Sequence, residues 1–273
     1  MKMGFKVVLI SFVGMLSFGL TPVIAEDIDG LETIINSGHR AESNRARDQY
    51  RHPEQTLQFF GIQPTMSVIE IWPGKGWYTE ILAPWLKQGG GEFIAAGFPQ
   101  DVGPLWRQEM QQEYQDWLSV SPDHYNEVNV IELGPPDLWT LGPDESVDAV
   151  LTFRNVHNWV KGGYDKEMFH AMYQVLKPGG ILGLVDHRAK KGSDLETMNR
   201  SGYLTEALII KLAEQAGFRL KKKSELNANP LDDRDHPKGV WTLPPTFRLG
   251  DDNKGTYLAI GESDRATFLF IKQ

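Results

Sequence analysis

Two histidines and one aspartate that follow apolar segments are the side chains of this sequence best suited to proton transfer. His157 comes shortly after the segment 147–153, and Asp186 and His187 end the segment that begins at Ile181. An imidazole changes its charge near neutral pH, so either histidine could accept a proton from a substrate, with Asp186 completing the candidate catalytic set. The alternative is that these histidines are structural and form hydrogen bonds to the backbone of a loop. Three candidate ligands without a short-range motif do not define a metal centre, and we expect no metal.

A glycine turn between a predicted strand and a predicted helix is the second candidate for ligand binding. The apolar segment 67–72 carries Glu70 and leads into Gly74-Lys75-Gly76, and residues 77–83 have a helical pattern. Glycines let the backbone approach a ligand closely, and the free N–H groups of a first helical turn can bind polar or anionic groups. Such turns also occur in purely structural connections, so the turn alone does not define a ligand.

Alternating apolar and helical segments indicate how these residues are positioned. The apolar runs predict strands at 67–72, 92–97, 127–132, 147–153, 181–186, 218–226 and 266–272. Strands that alternate with helices predict an α/β fold, a Rossmann-like doubly wound, mostly parallel sheet with helices on both faces. The carboxyl ends of such strands meet at a crevice where the strand order reverses. We therefore expect the glycine turn and both histidines to face one site.

Two segments lie outside this alternation. Residues 26–64 are predicted to form helices that cap the sheet, one of them beginning at Pro53. Residues 227–264 are rich in Asp, Pro and Gly and are unusually long for a connection, which predicts a lid, a binding element or a disordered strip. We expect residues 26–273 to form a single domain.

Three motifs resemble the class I S-adenosylmethionine (SAM)-dependent methyltransferases, and most closely a group of exported bacterial predicted methyltransferases. They are VIEIWPGKGWYTEILAP from Val68, VLTFRNVHNWV from Val150 and LVDHRA from Leu184, and the resemblance covers about residues 40–273. It implies a last strand that is antiparallel to the others, SAM as the cofactor and a small molecule as the substrate.

The resemblance also implies roles for the residues of the turn. Glu70 steadies the turn and lies near the methionine part of SAM, Gly74 and Gly76 pass beneath it, and Lys75 could face its carboxylate. Asn155, after the fourth predicted strand, belongs to the same implied cofactor site.

Two departures from the family pattern weaken this cofactor assignment. Trp72 stands where the family has its first glycine, and Gly97 stands where an acid accepts hydrogen bonds from the ribose hydroxyls; Asp101 could substitute. Both Trp72 and Gly97 are expected to border the cofactor. Losing a bidentate ribose contact costs about 1 to 3 kcal/mol, so SAM binding is expected to be weak or lost, and Gly97→Asp is predicted to tighten it.

Composition and the first residues limit the location and the partners. The chain has 273 residues, 41% of them hydrophobic, a formal net charge of -8 and no cysteine. An acidic chain without a basic surface is not expected to bind nucleic acid. Lys2, Lys6, a short apolar run and Val23-Ile24-Ala25 predict a signal peptide over 1–25, cleaved after Ala25, rather than a membrane anchor. We expect a product in the bacterial periplasm without stable membrane insertion.

Two functions remain open at this point. One is a SAM-dependent methyltransferase that acts on a small molecule, which the presence of Glu70, Gly74, Gly76 and Asn155 favours. The other is an exported, non-catalytic binding or accessory protein that retains the fold, which the missing ribose acid and the predicted export favour.

Overall fold

The computed structural model describes Met1 and residues 30–273. The predicted signal peptide and its cleavage site therefore lie outside the described residues. The helices are α1 Leu31–Ile35, α2 Glu42–Arg45, α3 Asp48–Arg51, α4 Pro53–Phe60, α5 Thr79–Gly89, α6 Leu105–Val120, α7 Pro122–Tyr125, α8 Val156–Gly162, α9 Asp165–Val175, α10 Leu195–Ser201, α11 Glu206–Gln215 and α12 Lys254–Ile260. Within the described residues, no helix is long and apolar enough to cross a membrane.

The described residues form a seven-stranded sheet in the order β3-β2-β1-β4-β5-β7-β6. Its strands are β1 Ser67–Ile71, β2 Glu92–Gly97, β3 Asn129–Glu132, β4 Val147–Phe153, β5 Leu176–His187, β6 Phe218–Ser224 and β7 Arg265–Lys272. Neighbouring strands are parallel except that β7 is antiparallel to both β5 and β6. This confirms the predicted fold class, including its antiparallel last strand.

The central strands are apolar on both faces because helices cover the sheet on both sides. Successive side chains of a strand point to opposite faces, and Val68 and Ile69 of β1 accordingly belong to different core clusters. Helix α4 packs Leu57 and Phe60 into the cluster that contains Val68, whereas Phe59 is only half-buried. Helix α4 therefore covers one face of the sheet.

The glycine turn occupies the position where the strand order reverses, between β1 and β4. Helix α5 begins at Thr79 rather than at Trp77, since Trp77 and Tyr78 belong to the turn itself. Strand β5 also begins earlier than predicted, at Leu176. Between β4 and β5, Val147 pairs with Leu176 and Ala149 pairs with Ile181, and residues 177–180 form a bulge between these two pairs.

A buried aspartate organises the long segment 227–264 and joins it to Tyr203 of the domain. Asp232 accepts hydrogen bonds from the hydroxyl of Tyr203 at 2.9 Å, the backbone N–H of Asp264 at 2.7 Å and the ring of His236 at 2.8 Å. A short 3₁₀ helix, Gly239–Thr242, and α12 lie within this segment. Several of its residues line the cavity described below.

Candidate active site

A cavity of about 350 Å³ opens at the carboxyl ends of β1, β4 and β5. Helices α2 and α3, the glycine turn and the long segment complete its walls. Residues used below that line it are Arg47, Arg51, Glu70, Trp72, Gly74, Lys75, Trp77, Tyr78, Phe153, Arg154, Asn155, His157, His187, Trp241, Glu262 and Ser263. Its volume is that of a site for a small molecule.

A buried carboxylate holds one histidine at the cavity wall. Asp186 is fully buried, and its Oδ1 lies 3.0 Å from Nδ1 of His157. The backbone N–H of His157 donates to Oδ2 at 3.1 Å, and the backbone N–H of His187 donates to Oδ1 at 2.7 Å. A carboxylate at Nδ1 favours the tautomer with the proton on Nδ1, which leaves Nε2 of His157 as a proton acceptor. This arrangement suits a general base.

The second histidine faces the same cavity. The ring centroids of His187 and His157 are 5.1 Å apart, and Nδ1 of His187 lies 2.5 Å from Oγ of Ser263. Burial, together with the charges of His157 and Arg154, lowers the pKa of His187 well below its usual range. His187 is therefore neutral at physiological pH and can donate or accept a hydrogen bond. The structure thus brings together all three residues predicted to be catalytic.

The same three side chains also have ligand atoms within 4.8 Å of one another, a spacing that can hold a cation. Both oxygens of Asp186 already accept hydrogen bonds from the backbone and from His157. Arg154 also lines this cavity, and its positive charge opposes a cation. The geometry therefore favours proton transfer over metal binding.

Glu70 lies in the cavity floor as a neutral acid. Burial raises its pKa to about 8, although the hydrogen bond from Thr79 Oγ1 at 3.2 Å and the charges of Arg154 and Arg51 lower it. Asn155 lies beside it and donates to the carbonyl oxygen of Ile71 at 2.8 Å, so its amide joins the ends of β4 and β1.

A cluster of arginines surrounds one carboxylate at the opposite wall. The Nε atoms of Arg47 and Arg51 lie 2.6 and 3.1 Å from Glu262, and Nη2 of Arg265 lies 3.1 Å from it. Although burial opposes the shift, these arginines and Arg154 lower the pKa of Glu262 to about 2. We call Arg47, Arg51, Arg154 and Arg265 the arginine cluster. No sequence motif pointed to Glu262, whereas Arg154 lies within the FRNVHNW run and was not assigned a role.

The space beyond β2 and β3 is filled by side chains. Trp72 has a left-handed backbone with φ of 49°, and its indole N–H donates to the carbonyl of Leu133 at 2.9 Å. Its ring centroid lies 4.6 Å from that of Phe98, and the guanidinium of Arg107 lies 5.0 Å from the Trp72 ring and 5.2 Å from the Phe98 ring. We call Trp72, Phe98, Trp106 and Tyr164 the aromatic cluster.

Two glycines predicted to bind the cofactor face protein rather than the cavity. A Cβ atom at Gly97 would lie 2.0 Å from Oε1 of Gln111, which accepts the backbone N–H of Phe98. A Cβ atom at Gly76 would lie 2.6 Å from the ring of Trp117. Only Gly74 of the predicted glycines lines the cavity, and no atom lies within 4 Å of the position of its Cβ. Gly97→Asp is therefore not expected to tighten SAM binding, in contrast to the prediction from sequence.

The structure places three other residues as follows. Lys75 borders the cavity at its exposed rim, and its Nζ lies 3.4 Å from Glu113, which is also exposed. Asp101 is exposed as well and does not line the cavity. Trp159, the tryptophan of the motif VLTFRNVHNWV, is fully buried in the core.

SAM does not fit this structure in the orientation that the resemblance implies. Its methionine half would meet Glu70 and the open surface over Gly74. Its ribose and adenine, however, would lie beyond β2 and β3, where Trp72, Phe98 and Gln111 are buried against one another. Protein interiors are close-packed, so this space cannot hold a nucleoside without displacing those side chains.

The sequence matches no family model and no curated protein. Similar solved structures include a SAM-dependent methyltransferase from Aquifex aeolicus, with a TM-score of 0.55 and 17% identity over 90% of this chain and 99% of that chain. A protein from Galdieria sulphuraria assigned as a sarcosine dimethylglycine methyltransferase has a TM-score of 0.57 and 13% identity over 85% and 88%. The [4+2]-cyclase SpnF has a TM-score of 0.56 and 14% sequence identity, over 87% of this chain and 84% of that chain. These likenesses establish a Rossmann-like methyltransferase fold.

Proposed function

We propose that the protein is an enzyme of the class I methyltransferase fold that transfers a proton to or from a small molecule bound in the cavity. The observation that carries this proposal is the buried Asp186–His157 pair at the cavity wall, with Nδ1 and Oδ1 3.0 Å apart. His157 is the catalytic residue of the proposal, and Asp186 is its positioning residue.

The proposed chemistry follows from the hydrogen bonds of the pair. Asp186 accepts a hydrogen bond from the Nδ1 proton of His157, so the lone pair of Nε2 takes a proton from a hydroxyl or an acidic carbon of the substrate. The imidazolium then returns the proton to a different atom of the resulting anion, so the net reaction is an isomerisation and His157 is regenerated. The imidazolium that forms lies against an anchored carboxylate, which stabilises its charge. A positioned base of this kind contributes about 10²- to 10⁴-fold in rate. The neutral His187 can hydrogen-bond the same substrate.

Methyl transfer from SAM to a small molecule is a second candidate. The fold likeness and the open surface over Gly74, beside Glu70, favour it. The closed side beyond β2 and β3 argues against the usual orientation of the nucleoside, so we derive no catalytic step through SAM. The third candidate, a non-catalytic binding protein, would use the cavity without using the base.

Metabolite profiling separates these functions. Purified wild type, His157→Gln and Asp186→Asn are incubated with a bacterial small-molecule extract, with and without added SAM, and products are followed by liquid chromatography and mass spectrometry, which separates isomers of equal mass. His170→Gln serves as the matched control, because His170 is an exposed histidine on α9. We expect substrate consumption by wild type and by the control, and a loss of at least 10²-fold in His157→Gln.

Each other outcome of this profiling has a defined meaning. A product that is heavier by one methylene group and appears only with SAM would replace the proposal by methyl transfer. Consumption that is equal in wild type and His157→Gln, or absent from all variants, would overturn the role of His157.

We also propose that the protein is exported to the periplasm, on the basis of the lysines and apolar run of residues 1–25. The proposal expects a mature N-terminus at Glu26 in the periplasmic fraction. N-terminal sequencing tests it, and a cytosolic protein that retains Met1 would contradict it.

A further inference from the structure

We infer that the cavity selects a small molecule that carries an oxyanion, a carboxylate or a phosphate, and that Arg51 and Arg154 bind this group. The inference rests on the proposed function, because the molecule would be the substrate of His157. It adds the chemical class of that substrate.

The balance of charge around the cavity is the first observation. The arginine cluster has four guanidinium groups, and three of them form ion pairs with the same carboxylate, Glu262. Glu70, the other acid in the floor, is neutral at pH 7 because burial raises its pKa to about 8. The arginines are therefore not balanced by the acids of the cavity wall, and this excess of positive charge attracts an anion.

Arg154 is the second observation. It follows β4 directly with φ of 63°, lines the cavity, and has no side-chain hydrogen bond and no ion pair within the described part of the chain. Burial lowers its pKa to about 10, so it stays charged at neutral pH. Arg154 is half-buried and forms no ion pair with a carboxylate of the described residues, so a bound anion would stabilise its charge.

Arg51 provides a second guanidinium at the same wall. Its side chain is 2% exposed and its Nε pairs with Glu262, but its Nη2 is buried without a hydrogen-bond partner. The guanidinium lies 4.6 Å from the ring of Trp77, which limits its orientation. A guanidinium held in this way is suited to carboxylate or phosphate oxygens.

The remaining walls limit the rest of the ligand. Tyr78 and Phe153 are stacked with ring centroids 3.5 Å apart, and Trp241 contributes a third aromatic side chain. With a volume of about 350 Å³, the cavity suits an anionic head with a small apolar body.

Calorimetry with four simple probes tests the inference. Benzoate, phenyl phosphate, inorganic phosphate and uncharged benzamide are titrated into wild type, His157→Gln and Arg154→Asn. Asparagine is chosen because it tolerates the left-handed backbone of position 154. Arg219→Gln is the control, because Arg219 is exposed on β6, remote from the cavity. This substitution removes the same positive charge as Arg154→Asn.

We expect one of the two aromatic anions to bind at least tenfold more tightly than benzamide, which distinguishes carboxylate from phosphate. Arg154→Asn should lose tenfold to a hundredfold in affinity, the loss typical of a charge-assisted hydrogen bond. Arg219→Gln should keep the affinity of wild type. The binding test and the turnover test can fail separately. If an anion binds to wild type and to His157→Gln but wild type shows no turnover, the anion site is supported and the proposed enzymatic activity is refuted.

Three results would overturn the inference. They are equal affinity for benzamide and the anions, unchanged affinity in Arg154→Asn, and Arg154-dependent binding of SAM or methionine without binding of the four probes. If Arg154→Asn does not fold by circular dichroism, Arg51→Lys and Arg154→Lys replace it. Each keeps the charge and loses the planar fork, so each should weaken anion binding.

Discussion

The two halves of the crevice at the carboxyl edge of the sheet differ in kind. Beyond β1, β4 and β5 lies an open cavity whose walls carry His157, His187 and three arginines of the arginine cluster. Beyond β2 and β3, the side chains of Trp72, Phe98 and Gln111 are buried, and Trp72, only 5% exposed, forms the boundary between this side and the cavity. The side chains suited to proton transfer therefore lie in the open half, and the closed half is where the family resemblance would place the nucleoside of SAM.

The largest effect is expected from opening the closed half. Trp72→Gly removes a ring that contacts Phe98, Arg107 and the carbonyl of Leu133, and glycine accepts the φ of 49° without strain. The free energy of unfolding should fall by about 3 to 5 kcal/mol, and SAM binding should become stronger than in wild type. Chemical denaturation and calorimetry measure the two effects. An unchanged stability would mean that this ring does not close the crevice.

The next effect is expected at Gly97, where sequence and structure give opposite predictions. Gly97→Asp places a carboxylate against Oε1 of Gln111 in a buried position, so it should destabilise the fold by roughly 2 to 4 kcal/mol without creating SAM binding. Gly74→Ala is the matched change in the open half. It should lower the free energy of unfolding by about 1 kcal/mol, because alanine is strained at the φ of 62° found at Gly74. If Gly97→Asp is as stable as wild type and binds SAM, the prediction from the sequence is right and the prediction from the structure is wrong.

The pH dependence of stability tests the charge of the open half. Burial raises the pKa of Glu70 from 4.5 to about 8, so the folded protein retains a proton that the unfolded chain has already released. The contribution of Glu70 to stability is therefore fully present below pH 4.5 and is lost as pH rises through about 8. Glu70→Gln should match wild type near pH 5 and exceed its free energy of unfolding by roughly 2 to 4 kcal/mol near pH 9. Parallel pH profiles of the two proteins would contradict a buried neutral acid.

The smallest effect is expected at Lys75, although it lies in the same glycine turn as Gly74. Lys75 and Glu113 are both exposed, so Lys75→Ala should change stability by less than about 0.5 kcal/mol and leave anion binding within twofold of wild type. The same calorimetric titrations measure this. A large loss of anion affinity would show that Lys75, rather than the arginine cluster, binds the ligand.

The placement of the catalytic candidates could be predicted because it depends on local patterns and one topological rule. The apolar runs of β4 and β5 are continuous in sequence, and parallel strands place their carboxyl ends together. Asp186, His187 and His157 follow those strands closely, so their meeting at one site needed no knowledge of packing. The glycine turn was predicted for the same reason, with its helix displaced by two residues.

The sequence by itself therefore determined the fold class, the crevice and the histidines that face it, since each follows from the periodicity of neighbouring residues. Only the tertiary structure decided which half of the crevice is open, because that depends on the direction in which Trp72 and Gln111 point. It also decided the charge of the cavity, because Arg51 and Glu262 are 211 positions apart in the chain. No local pattern records a contact between side chains so distant in sequence, and such contacts determine what a cavity can bind.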